Sequence, residues 1–370
     1  MTPAAHPAPA RLRSLDALRL VAALAVVLFH FTARGNVRWG VPPDVAFPLL
    51  SQVTRFGYAG VHLFFVISGF VVLMSAWGRG PRSFVASRVS RLYPAFWAAV
   101  LITATLRWWW PTFSDRTPAE VAVNLTMVPE VFGVARVDGV YWTLWVELQF
   151  YLLLLLFVRL GITVRRVVVA ATVVPLACTA VTLAAPSSAG VLTLLSWCPV
   201  FAAGMVLFVI HREGHTAGRW GLVALNSAQA VAVSASQKAA AIDSIAPGRP
   251  TSPVTLGIVV VVCVALVAVV AFVPAVRDLD WKVLTTAGAL TYPLYLTHEY
   301  VGWALIEWLR THLDRYDTLT VATLACAALA WGLHHAVERP LQQPFRRLLM
   351  TVRLPRLQGR GTARPATGLE

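Results

Sequence analysis

The chain has 370 residues, of which 58% are hydrophobic and 13% charged, with a net charge of +14. So apolar a composition, gathered into long runs, excludes an ordinary soluble globular domain and points to a polytopic membrane protein. No basic run is interleaved with exposed aromatics, so no nucleic-acid partner is expected; the positive charge reflects orientation in a bilayer and contact with anionic headgroups.

A helix needs about 20 mostly apolar residues to cross the hydrocarbon core. Candidate spans fall at 15–33, 60–77, 92–108, 142–159, 167–185, 191–210, 254–274, 283–306 and 318–337. A tenth region, 220–242, is rich in small residues and carries Asn226, Gln229, Gln237 and Lys238. The expected fold is all-α, a transmembrane helical bundle of about ten spans. The first span could instead be a secretory signal, but Asp16 and Arg19 intrude on that pattern and no clear A-x-A site follows. Cys178, Cys198, Cys263 and Cys326 all lie in apolar runs with no CxxC pair, which suits buried thiols; no metal site is expected.

Charge orients the bundle, because Lys and Arg collect in cytoplasmic loops. With the N-terminus inside and 220–242 crossing, 21 of the 31 basic residues are cytoplasmic; if that region does not cross, the split is 16 to 15. The biased split is the expected one, with ten helices and both termini cytoplasmic. The organisation is then a cytoplasmic segment over 1–12, a membrane domain over 13–341 and a basic, disordered cytoplasmic tail over 342–370.

The first span, "RSLDALRLVAALAVVLFHF", holds three ionisable groups. Eleven residues make almost three turns, so Arg19 and His30 share one face about 16 Å apart, with Asp16 one turn before Arg19. Charged groups inside a membrane usually face the bundle interior and mark a substrate path. Asp16 and Arg19 could equally be a snorkelling pair at the interface. His30 lies toward the outer end, suited to a helix-to-helix hydrogen bond or to moving a proton. In "YWTLWVELQFY", Glu147 enters at a depth similar to His30, where a carboxylate and an imidazole could orient each other or share a proton; the alternative is a neutral carboxylic acid bonded to a neighbouring helix. In "FVASRVSRLYP", Arg88 and Arg91 could grip a phosphate-bearing ligand, or serve only as positive-inside charges.

"RSLDALRLVAALAVVLFHF", "GVHLFFVISGF" (60–70), "RVSRLYP" (88–94), "WTLWVELQFY" (142–151), "LTYPLYLTH" (290–298) and "VERPL" (337–341) together resemble the acyltransferase-3 family of integral membrane O-acyltransferases. The likeness runs in order from Arg13 to Leu341. It implies that Arg19 and His30 are essential, that Arg88 and Arg91 handle an acyl-CoA donor, and that Glu147 is the glutamate of the W-[ST]-L-x-x-E motif. Asp16 and His298 are carried as supporting residues. It also implies transfer of acetyl or another short acyl group to a hydroxyl of a sugar, a cell-surface glycan or a macrolide-type product. The location implied is a bacterial cell membrane. Acyl-CoA is then a co-substrate, no bound cofactor is expected, and the partners are the donor, the acceptor and the bilayer. The polar stretch 220–252 departs from the family pattern.

Thioester acyl transfer needs a base to take the hydroxyl proton during attack, and His30 is the candidate. Arg19 is too far along the helix to reach the reacting carbonyl and is assigned to the donor's entrance. A proton-coupled transporter remains the alternative, although no internal repeat is evident. Loops 33–58 and 109–140 are long enough to shape an acceptor site; Trp39, Trp108, Trp109 and Trp110 there are stacking surfaces or interfacial anchors.

Overall fold

The computed structural model describes residues 12–185 and 192–351. Long helices dominate: α1 Arg13–Thr32, α2 Gly60–Ala76, α3 Pro81–Trp109, α4 Trp142–Leu160, α5 Val164–Ala184 and α6 Cys198–Glu213. α7 begins at Ala217–Val233 and continues through a π turn, Ser234–Lys238, into Ala239–Ile245. α8 Pro253–Phe272, α9 Lys282–Leu309 and α10 Arg315–Leu333 follow, and a second π turn, His334–Glu338, leads into α11 Arg339–Thr351.

Local chemistry sets the ends. Thr163, Thr216 and Ser252 each accept a hydrogen bond from a first-turn backbone N–H of α5, α7 and α8, and Asp314 does so for α10. Pro81 and Pro253 occupy first-turn positions where no donor is needed. Gly161 and Gly214, at φ of 82° and 87°, stop α4 and α6.

Eight helical segments among the described residues are long and apolar enough to cross a bilayer. α7 and α9 match the length of the others but carry buried polar side chains, Asn226, Gln229 and Ser234 on one and Thr291, His298 and Glu299 on the other. α9 packs along α1 and α10, and α7 against α5, α6 and α8, so these groups face protein. The apolar side chains turned outward, among them Leu152, Val169, Ile258 and Leu324, are exposed, as a lipid-facing belt requires. The protein is an all-α, multi-pass integral membrane protein.

α2 and α6 touch backbone to backbone. A Cβ on Gly69 would stand 2.1 Å from the Phe201 carbonyl oxygen, and one on Gly204 would stand 2.0 Å from that of Val66. Small residues at such crossings let dispersion and weak polar contacts replace the hydrophobic drive that lipid removes.

One expectation needs correction. The tail expected to be disordered from 342 is helical through Thr351, because Leu341, Phe345 and Leu348 recur on one face of α11 and Phe345 docks on Trp97 of α3 with ring centroids 5.7 Å apart; the remainder, 352–370, lies outside the described residues, as does the segment 1–11. Of the two readings of the loop tryptophans, anchoring fits Trp39, Trp108 and Trp110. Their indole N–H groups donate to the Phe31 carbonyl, the Arg116 carbonyl and Glu307, pinning the loops; Trp109 is 80% exposed.

Those loops close the His30 end. Arg107, buried, donates to the carbonyls of Ser114 and Val137 and lies 4.5 Å from the Tyr300 ring centroid. Thr117 and Glu120 form a capping box, and the Thr117 backbone N–H holds the Glu120 carboxyl below its ordinary range.

Candidate active site

α1 runs unbroken from Arg13 to Thr32, so Arg19 and His30 keep the expected separation on one helix, and both turn inward. Arg19 lines a cavity of about 90 Å³ together with Arg88, Arg91, Glu147 and Tyr151, while Thr143 and Tyr295 line its far end. Four residues singled out in the sequence, from α1, α3 and α4, therefore meet in one enclosure that α2 and α9 complete. Asp16 Oδ1 stands 3.6 Å from the Arg19 guanidinium, and Gly288 of α9 backs onto Asp16 so tightly that a Cβ there would lie 2.3 Å from Asp16 Cβ. This glycine lets α9 approach α1 beside the cavity.

Glu147 accepts hydrogen bonds from Ser68 Oγ at 2.9 Å and Tyr151 Oη at 2.6 Å, and the Arg88 guanidinium lies 5.9 Å from the Tyr151 ring centroid. The sequence placed Glu147 at the depth of His30; the structure places it lower. Thr143 Oγ1 and Tyr295 Oη are 2.8 Å apart, Glu147 is one turn past Thr143, and Tyr295 is nearly one turn before His298 on the antiparallel α9. Two turns make about 10 Å between Glu147 and the His298 level. The reason is the 3₁₀ turn Gly139–Tyr141, which starts α4 already inside the bundle. Glu147 thus lies beside the arginines of the cavity, outside hydrogen-bond reach of His30.

His30 instead meets His298. His298 Nε2 lies 3.3 Å from His30 Nδ1, and the rings pack edge to face with centroids 4.9 Å apart. The carbonyls nearby assign the tautomers. His298 Nδ1 faces the carbonyls of Tyr295 at 2.9 Å and Leu294 at 3.2 Å, which only accept, so it carries the proton and Nε2 is left with a lone pair. His30 Nδ1 faces the Val26 carbonyl at 2.8 Å and that lone pair, so it too is the protonated nitrogen. His30 Nε2 is then the basic atom, and it makes no hydrogen bond among the described residues.

The layer beyond the histidines has no counterpart among the residues singled out in the sequence. Arg34, one turn after His30, pairs with Glu299 at 2.9 Å, and Glu299 is 1% exposed. Asp138 is buried against the same carboxylate, and a Cβ on Gly139 would lie 2.8 Å from Glu299 Oε2. Trp303 Nε1 donates to the His30 carbonyl at 3.1 Å, and the Arg34 guanidinium is 5.4 Å from the Trp303 ring centroid. The available signal was position alone: Glu299 follows His298 directly, and Arg34 sits four residues after His30.

A second polar cluster lies at the same end of the bundle. Lys238, on the π turn of α7, donates to Ser196 Oγ at 3.0 Å and lies 4.5 Å from the Trp197 ring centroid. A cation over an indole is stabilised by about 0.5–2 kcal/mol, while withdrawing an ammonium from water costs several. His62 packs on the same indole at 4.8 Å and shares a 3.0 Å hydrogen bond between Nε2 and Ser234 Oγ.

The bundle thus gathers arginines and a carboxylate below a histidine pair, and the protein is a multi-pass membrane enzyme. A family model described as an acyltransferase domain matches residues 12–335, and the chain belongs to that family, acyltransferase 3. It is 27% identical over 377 residues to the acyltransferase MdmB of Streptomyces mycarofaciens, covering 93% of this chain and 94% of that protein. It is also 29% identical over 168 residues to a protein of Komagataeibacter xylinus provisionally named membrane-bound transacylase BcsY, covering 40% of this chain and 38% of that one. No solved structure matches. The enzyme is an acyltransferase that moves groups other than amino-acyl groups.

Proposed function

We propose that the protein transfers a short acyl group, acetyl first among them, from acyl-CoA to a hydroxyl of a sugar, cell-surface glycan or macrolide-type product, in a bacterial cell membrane crossed ten times with both termini inside. The observation that carries this reading is the cavity running from Arg19, Arg88 and Arg91 up to Thr143 and Tyr295, one turn below the histidine pair.

Three guanidiniums at one mouth suit the phosphates of the donor, with Arg88 and Arg91 binding it and Arg19 set at the entrance by Asp16. Glu147, held by Ser68 and Tyr151, balances that charge once the mouth closes on its ligand. A cavity of about 90 Å³ admits a narrow thioester arm and a small acyl group, leaving the nucleotide outside. His30 Nε2 takes the acceptor's hydroxyl proton as its oxygen attacks the thioester carbonyl. The C–S bond breaks, the ester forms, and the proton passes to the departing thiolate. His298 is a positioning residue that keeps the proton on His30 Nδ1 and the lone pair on Nε2.

Membranes carrying the protein, given radiolabelled acetyl-CoA and hydroxylated acceptors, should transfer label into an ester and release free CoA. Acceptor movement across the bilayer without acetyl-CoA consumption would favour the transporter reading instead.

A further inference from the structure

Lys238 lies on the π turn of α7. It sits within a helix among membrane spans, and among the described residues no carboxylate lies within ion-pair distance of it: its polar partner is the Ser196 hydroxyl and its other contact is the Trp197 face. Buried charges in membranes pair with one another or with what they transport or bind. The nearest titratable neighbour is His62, 1% exposed, whose Nδ1 is buried with no hydrogen-bond partner among the described residues. Ser234 Oγ has no other acceptor among the described residues, so it donates to Nε2, and Nδ1 then carries the proton as an unmet donor. Two donors, one of them cationic, therefore stand on one indole with no acceptor between them.

The surroundings extend this toward the active site. Trp142 packs on Trp197 with centroids 5.5 Å apart, Tyr58 stacks on Trp142 at 6.5 Å and edges His62 at 6.4 Å, and Phe29, the neighbour of His30, edges Tyr58 at 5.9 Å. Tyr58, Trp142 and Lys238 are each half-buried. The π turn has a purpose here, since the extra residue in the turn re-aims Lys238 and Ser234 into the bundle.

We propose that the Lys238–Trp197–His62 cluster is an acceptor subsite that binds a phosphate-type oxyanion, beside the packed rings of Tyr58 and Trp142. This rests on the acyltransferase reading, and it narrows the acceptor to a hydroxylated molecule bearing a phosphate ester. An ammonium and a single N–H suit the several directions of a phosphate better than the planar, forked demand of a carboxylate. The phosphate could belong to a lipid carrier or to a water-soluble ester; the chemistry recognised is the same.

The test is calorimetric titration of the purified full-length protein in a neutral maltoside detergent with dodecyl phosphate, with glucose 1-phosphate, and separately with acetyl-CoA. Saturable binding of dodecyl phosphate alone identifies a lipid-borne phosphate, and binding of glucose 1-phosphate identifies a soluble one; either supports the subsite if Lys238→Met weakens it at least tenfold and leaves acetyl-CoA binding unchanged. Should Lys238→Met not accumulate, Lys238→Gln, which keeps a bond to Ser196, decides in its place. His62→Phe should weaken the same ligand. Binding of neither phosphate, or equal binding by wild type and the Lys238 variant, overturns the proposal. Loss of acetyl-CoA binding in the wild type would instead remove the donor reading while leaving a Lys238-dependent phosphate result standing.

Discussion

His298 Nε2 stands 3.3 Å from His30 Nδ1, with Nδ1 of each ring turned to a backbone carbonyl of its own helix. The pair fixes which nitrogen of His30 is basic. His298→Ala should therefore lower kcat by roughly tenfold or more, the lower end of the range seen when a histidine loses the partner that orients it, and leave the KM for acetyl-CoA near its wild-type value. A raised donor KM with unchanged kcat would place His298 in donor binding.

Arg88 and Arg91 line the cavity mouth with Arg19, away from the histidines. Arg88→Ala and Arg91→Ala should raise the KM for acyl-CoA more than they lower kcat, as expected for contacts made equally in ground and transition states. Initial rates across a donor concentration series check this, and unchanged donor dependence would leave them as positive-inside charges.

Much of this site was legible in the sequence, for one reason. A membrane makes a charged side chain so costly that Asp16, Arg19, His30, Arg88, Arg91 and Glu147 stand out from an apolar background. Helical periodicity then gave the Arg19–His30 relation correctly, because α1 has no proline or π turn to disturb it. Depth between different helices was not legible. Glu147 shifted by two turns because a 3₁₀ turn, not a loop, precedes α4. The Arg34–Glu299–Asp138 layer depends on three segments meeting in space, and no spacing along the chain encodes that.

Region 220–242 carried too many polar residues to read as a span by hydropathy. In the structure Asn226 donates to the Ala171 carbonyl and Gln237 to the Thr182 carbonyl, so α5 answers the polarity of α7. A reporter fused after Arg347 should accordingly be cytoplasmic and one inserted near Pro250 extracytoplasmic. Both on one side would mean that α7 does not cross.

The α2–α6 crossing leaves no room at Gly69 or Gly204. Gly69→Ala or Gly204→Ala should destabilise the bundle by about 1–3 kcal/mol, the usual cost of overpacking, seen as a lower thermal midpoint in detergent. Because both glycines lie off the cavity lining, the surviving folded enzyme should keep its donor KM.

His30 Nε2 is the proposed base, and the pH dependence of kcat/KM in wild type and His30→Ala is the decisive measurement. With His30 as the base, kcat/KM falls by roughly a hundredfold or more in well-folded His30→Ala protein, as is typical when acid–base catalysis is lost, and the wild type shows a rising limb with pH that is missing from the residual activity. Full activity in folded His30→Ala protein, or an unchanged rising limb, would contradict it and leave His30 as a packing residue between α1 and α9.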